Sequence, residues 1–301
     1  MNPWDDPERI ERLKLNGEKR EAKDVDTVDK PIEQIPLFQA AYYDVSPKDD
    51  LHTMEHPFFA VSKRPDKKVR TFTDSRGRKT TIVPSHTGLA TIYDKDILMF
   101  VVSHLMHAKN KGVPISENVR IVSHDVLEFS KRGNGGDQYR KLTQALHRLR
   151  GTSITTEIET NGKLQAKSFG WILTWDIIAG NDRRVLEFSV RLPEWVFNLI
   201  LGDEVLTIDG DYFGLSPLQR RLYEVARKHL GAKTKWSIGL TKLKAKIESE
   251  ESELREFRRN LKRIQKMGLL GYEFDIKGRG KAETVEFTKR GRKTESAPLD
   301  A

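Results

Sequence analysis

Apolar positions at Ile97, Leu98, Val101, Leu105 and Met106 recur at helical spacing and stop at Lys111 and Gly112. With Asp94 placed to cap its start, this pattern predicts a buried helix. Ahead of it, β-branched and aromatic runs at 69–73 and 79–83 flank Asp74, Ser75, Arg76 and Gly77, a hairpin with a basic turn. Beyond it come an apolar run at 119–122, a short helix through 129 capped by Ser123, and a loop at 131–136. A further helix, capped by Asp137, carries Tyr139, Leu142, Ala145, Leu146 and Leu149 on one face. Three strand-like segments follow at 153–159, 164–175 and 184–190, and Thr160-Asn161-Gly162 joins the first two as a hairpin. Helix, strand, helix, helix, hairpin is the order of a winged helix, whose last helix approaches the major groove while the hairpin flanks the backbone.

The order then returns. A strand at 204–208 and a turn at Asp209, Gly210 and Asp211 precede Ser216 and Pro217, which suit the N-cap and first position of a helix. That helix carries Leu218, Leu222, Val225, Ala226 and His229 and ends near Gly231. A strand at 236–238 and a helix at 240–247 come next, then a long helix at 252–267, capped by Ser249 or Ser252 and stopped by Gly268. Segments 269–274 and 284–287 read as the wing strands. The expectation is an α+β chain with two tandem winged-helix domains at 56–203 and 204–290. A mobile N-terminal arm at 1–55 and a tail at 291–301 flank them. The two modules share element order, not sequence.

Charge sharpens this picture. The net charge of +9 is concentrated at one end: residues 212–301 hold 22 Lys and Arg against 12 Asp and Glu, leaving 31 against 32 in the rest. A basic excess confined to one module fits a phosphate-backbone binder, because neutralised phosphates release condensed counterions. In the 252–267 helix, Leu254, Phe257, Leu261 and Ile264 form one apolar stripe. The other face holds Arg255, Arg258, Arg259, Lys262, Arg263 and Lys266. Guanidinium forks suit bidentate contacts to guanine, so the first four are expected to face DNA, and Arg263 and Lys266 to hold phosphates. Lys277, Arg279 and Lys281 place three cations on a wing tip expected to be flexible. In the first module, Arg140, Lys141, Gln144 and Arg148 line the exposed side of the helix that starts at Asp137. They either read DNA or belong to a dimerisation surface. Lys131 and Arg132 in the loop at 130–136 either meet a phosphate or belong to an ordinary inter-helix loop.

Signals for catalysis are weak. The chain has no cysteine, which excludes thiolate chemistry, disulfides and Cys-ligated zinc. Gly162-Lys163 and Gly280-Lys281 are followed by Leu and Ala, not the Ser or Thr of a phosphate-binding loop. His104 and His107 lie on the apolar helix without a matching carboxylate. No His-apolar-His pair exists to hold the metal that assists a nicking tyrosine. A non-enzymatic protein without cofactors or metal is expected. The apolar runs, such as 97–102, are far shorter than a bilayer requires, and residues 1–15 lack a secretory core, so a cytoplasmic protein is expected.

Asp94-Lys95-Asp96-Ile97-Leu98, Gly170-Trp171-Ile172-Leu173 and the segment from Tyr212 to Tyr223, YFGLSPLQRRLY, resemble the plasmid replication initiator protein A family, over roughly residues 55–290. The resemblance implies tandem winged helices that bind repeated double-stranded sites (iterons) at a plasmid origin and melt or bend nearby DNA. It also implies recruitment of the host's initiator and replicative helicase, with self-association as a further expectation. A winged-helix transcriptional repressor is the alternative that the same fold would serve.

Overall fold

A computed structural model describes residues 37–40, 45–62, 66–73, 77, 79–160, 163–179, 185–247 and 253–290. At its centre lies α2 (Lys95–Asn110), preceded by β1 (Leu37–Ala40), β2 (Lys48–Asp50), α1 (Leu51–Glu55), β3 (Arg70–Thr73) and β4 (Lys79–Val83). Nearly every side chain of α2 from Lys95 to Met106 is buried, as expected of a helix that is apolar all round. It starts after Asp94, as expected, but the Asp94 side chain does not cap it. Thr91 Oγ1 accepts the Asp94 N–H at 3.2 Å and Asp94 Oδ2 accepts the Thr91 N–H at 2.8 Å, so the reciprocal cap sits one turn earlier.

The first winged helix continues with β5 (Asn118–Val122), α3 (Ser123–Phe129) and α4 (Gly136–Gly151). Here too the caps shift by a residue or more. Ser123 is the first helical residue of α3, and α4 is preceded by Gly135, with Asp137 inside its first turn. Next come β6 (Ser153–Thr160), β7 (Lys163–Phe169), β8 (Thr174–Ala179), β9 (Val185–Arg191) and α5 (Glu194–Leu201).

The hairpin expected to be the first wing is not the wing. β6 and β7 join the earlier hairpin in a sheet of order β3-β4-β6-β7, whereas β8 and β9 complete the sheet β1-β5-β9-β8. The segment expected as one strand at 164–175 is therefore two strands in two sheets. Trp171 makes the crossing: its ring is buried and stacked on Phe59 at 4.5 Å, and its backbone N–H donates to Leu149 O at 3.2 Å. Close approach fixes the other end, because a Cβ on Gly151 would lie 2.6 Å from Ser85 Cβ. Only glycine lets α4 pass the turn after β4 and lay β6 against β4.

The second winged helix contains β10 (Val205–Thr207), a 3-10 turn (Gly210–Gly214), α6 (Pro217–Leu230), β11 (Lys235–Gly239) and α7 (Leu240–Ile247). It closes with α8 (Leu254–Met267), β12 (Tyr272–Lys277) and β13 (Thr284–Lys289). Ser216 and Gln219 form a capping box at the start of α6. α8 begins after Glu253; the expected caps Ser249 and Ser252 lie outside the described residues. Its sheet order, β11-β13-β12, matches β5-β9-β8 strand for strand, so the two modules are topological equivalents. The first carries β6 and β7 as an insertion between its recognition helix and its wing.

Residues 37–40 and 45–55 are not an arm; the rest of the expected arm lies outside the described residues. β1 pairs in parallel with β5, β2 pairs with β10 of the second module, and α1 packs on α6. The modules meet around buried charges. Lys95 Nζ lies 2.6 Å from Asp49 Oδ2 and 3.0 Å from Glu224 Oε1. Glu224 also accepts Arg221 Nη1 at 2.9 Å and the Tyr212 hydroxyl at 2.6 Å. Beside it, Asp96 holds Arg220 at 2.7 Å and Arg132 at 2.6 Å, and the Arg220 guanidinium lies 4.6 Å from the Tyr93 ring centre. Burial works to lower Lys95 and raise Glu224, but Asp49 and then Glu224 pull Lys95 up, and Lys95 and Arg221 pull Glu224 down, so the net shifts favour the charged forms. Asp49 is pushed up to about 7 by burial, with Lys95 opposing.

Candidate nucleic-acid interface

α8 presents the stripe its spacing predicts. Phe257, Leu261 and Ile264 are buried, while Arg255, Arg259, Lys262, Arg263 and Lys266 are exposed. The six cations are not equivalent. Arg258 is half-buried and lies 2.9 Å from Glu283 at the base of the wing, so it ties α8 to β13. Arg259 pairs with Glu256 one turn back on the surface, a weak contact that a phosphate can replace. Arg255, Lys262, Arg263 and Lys266 make no ion pair among the described residues. Gln265 Nε2 donates to Phe274 O at 2.8 Å and Asp275 Oδ1 at 2.7 Å, fastening the helix to β12.

The wing tip closes in a 3-10 turn at Gly280–Ala282. Gly278 has φ +80° and its Cβ position lies 2.8 Å from Ala282 O, a packing that only glycine permits. Arg279 is exposed there, and Lys277 is paired with Glu286, which raises the lysine pKa. The Lys281 side chain lies outside the described residues. On α7, the helix that precedes α8, Lys242 is exposed and Lys244 half-exposed. Sequence reading passed over both, although a helix in this position crosses the backbone in helix-turn-helix proteins.

On α4, Arg140, Lys141 and Gln144 are exposed. Arg140 and Lys141 both reach Asp137, whose carboxyl they hold down to about 2. Arg148 is different. Its Nε and Nη2 donate to Asp94 at 2.7 and 2.8 Å, so it braces α4 against the start of α2. In the loop at 130–136, Lys131 pairs on the surface with Asp211 at 2.6 Å, a contact a phosphate can replace, whereas Arg132 is committed to Asp96. Their partners are 80 and 36 residues away, beyond the reach of local pattern. His104 is a core residue whose Nδ1 lies 2.7 Å from Phe100 O. Asp209 accepts the Asp211 N–H and shapes a turn.

No group of three or more His, Asp or Glu among the described residues could hold a metal ion. No helix among them is long and apolar enough to cross a membrane.

A family model described as replication initiator protein A matches residues 48–273. A putative replication protein of Wigglesworthia glossinidia brevipalpis is 32% identical over 248 residues, spanning 81% of this chain and 89% of that protein. Two crystal structures of domains 2 and 3 of RctB share the fold at 13% identity. One has a TM-score of 0.62 and covers 79% of this chain and 98% of its own; the other has 0.56, with 77% and 95%.

Proposed function

The chain belongs to the replication initiator protein A family, and from that membership we propose that it is a plasmid initiator binding repeated double-stranded sites at an origin. In this reading it promotes origin opening and recruits the host's initiator and replicative helicase, acting in the cytoplasm. The observation that supports it best is α8. Four cations on this recognition helix are unpaired among the described residues, beside a basic wing and in a module braced against a second winged helix. Two such modules suit successive major-groove faces of one site.

Footprinting on the DNA that flanks the gene tests the reading: several regularly spaced protected repeats are expected. One protected promoter operator, with no repeats and no plasmid maintenance when the gene is supplied in trans, would favour the second reading, a transcriptional repressor, which the same recognition helices support.

The proposal assigns no catalytic step to the chain, since its sequence lacks both a phosphate-binding loop and a nicking histidine pair. Supercoiled origin DNA incubated with the protein and magnesium should stay closed; a nicked circle with covalently attached protein would overturn this. For self-association the reading offers the open edge strand β8 of the first module's sheet, where Ile177 and Ile178 are exposed.

A further inference from the structure

We infer that the first module grips the DNA backbone through a second wall beside α4, built by Lys67, His86 and Thr87. The inference rests on the reading that α4 faces DNA, and it selects that role for the helix over dimerisation.

A cleft of about 370 Å³ runs along the C-terminal half of α4. One side is α4 itself, with Gln144, His147 and Arg148; the other is Lys67 together with His86 and Thr87 from the turn after β4. Lys67, His86, Gln144 and His147 are exposed. Among the described residues no carboxylate lines the cleft, and the lining guanidinium of Arg148 is already balanced by Asp94. What remains is a lysine, two imidazoles, an amide and a hydroxyl. This set offers N–H and O–H donors and one permanent positive charge, which matches a phosphodiester and repels a cation.

The second wall is held rigidly against the helix. Ser85 Oγ donates to Gly88 O at 2.8 Å and accepts the Thr87 N–H at 3.2 Å. The Ala90 N–H donates to Thr152 Oγ1 at 2.9 Å, just past the end of α4. Ser85 itself abuts Gly151. Lys67 is presented by a fixed segment, because Asp66 spends its carboxylate on Arg70 at 2.6 Å and on the Lys68 N–H at 2.9 Å. Asp66 therefore does not neutralise Lys67. In sequence, Lys63, Arg64 and Lys68 flank it, so the basic character continues along the segment.

A helix seated in the major groove has a phosphate strand along each side. Donors on a rigid wall adjoining its exposed face therefore meet the backbone and set register without reading bases. Sequence pattern could not show this, since Lys67 and Gln144 are brought together only by the fold of β4 onto β6.

The test uses the full chain, a duplex carrying a protected repeat, and a random-sequence duplex. Lys67→Ala combined with His86→Ala should weaken both complexes about tenfold at fixed salt and lower the salt slope by about one. Both residues are exposed, so thermal unfolding should not move. Lys67→Glu should weaken binding further by repulsion. Hydroxyl-radical footprints should lose backbone protection on the side of the repeat next to α4 and keep it next to α8. Unchanged affinity, slope and footprint, with the wild-type chain still binding, would overturn the inference and leave the functional reading intact. A wild-type chain that does not distinguish the two duplexes would remove both. A changed sedimentation coefficient with DNA binding intact would also overturn it, by assigning the cleft to contact between copies.

Discussion

The ammonium of Lys95 lies 3.0 Å from the Glu224 carboxylate, joining two segments 129 residues apart that both carry the family resemblance. Lys95 belongs to Asp94-Lys95-Asp96 and Glu224 follows Tyr212–Tyr223 directly. Asp96 and Arg220 make a second link between the same segments. These links hold the two winged helices to each other.

Removing the charge should cost more than removing one of its partners. Lys95→Met leaves the buried Asp49 without its counter-ion and Glu224 with Arg221 alone, and is expected to destabilise the protein by about 3–5 kcal/mol. Asp49→Asn should cost less, because burial already favours its protonated form. Urea unfolding of both variants and of the double variant measures this; additive losses would show that the residues do not interact.

His56 makes stability depend on pH. Its ring stacks flat on Phe72 at 4.3 Å. Burial pushes the imidazole down to about 4; Glu55 opposes this, while Lys246, Lys228 and Arg221 reinforce it. The unfolded chain, at about 6.5, binds the proton first, so stability is lost as pH falls from about 6.5 toward 4. His56→Phe should remove this component. The gap between variant and wild-type urea midpoints should widen in favour of the variant across that window. Asp49 acts with the opposite sign in a similar range but is common to both chains, so it cancels in the comparison.

Arg255 and Arg258 should separate recognition from support. Arg255→Ala is expected to weaken specific DNA binding by about 1–3 kcal/mol without altering stability. Arg258→Ala also releases Glu283, so it should lower stability, by less than about 1 kcal/mol, as well as affinity. Glu283→Gln should reproduce the stability loss. Equal stability of all three variants in thermal unfolding would show that the Arg258 pair contributes nothing.

Gly151→Ala should destabilise by about 1–3 kcal/mol through overpacking against Ser85. Combining it with Ser85→Gly should recover a measurable part of the loss, since that change removes the atom the new methyl would meet. No recovery in chemical denaturation would place the strain elsewhere.

The second module was readable from sequence because its signals are local. The Phe257, Leu261 and Ile264 stripe, the Ser216 cap and the Gly268 stop each lie within a few residues of what they control. Strand partnership was not local. Thr160-Asn161-Gly162 correctly marks a hairpin, but nothing in it says whether that hairpin joins β5 or β4. Charges misled for the same reason. Arg132, Arg148 and Arg258 look like free surface cations until the fold brings Asp96, Asp94 and Glu283 to them. Residues 48–55, rich in charge and short of apolar side chains, read as an arm because their partners lie beyond residue 200.

That last pairing orders events during synthesis. Asp50 sits opposite Val205, the Leu51 N–H donates to Glu204 O, and Arg221 Nη1 donates to Thr53 O at 2.8 Å. Residues 50 to 53 thus wait for residues made some 150 positions later before their own backbone groups are satisfied. Such long loop closure slows folding. A nascent chain stopped at residue 203 would hold Lys95 without Glu224 and Asp96 without Arg220, and a protease would meet it as an unfinished molecule, not as a working half.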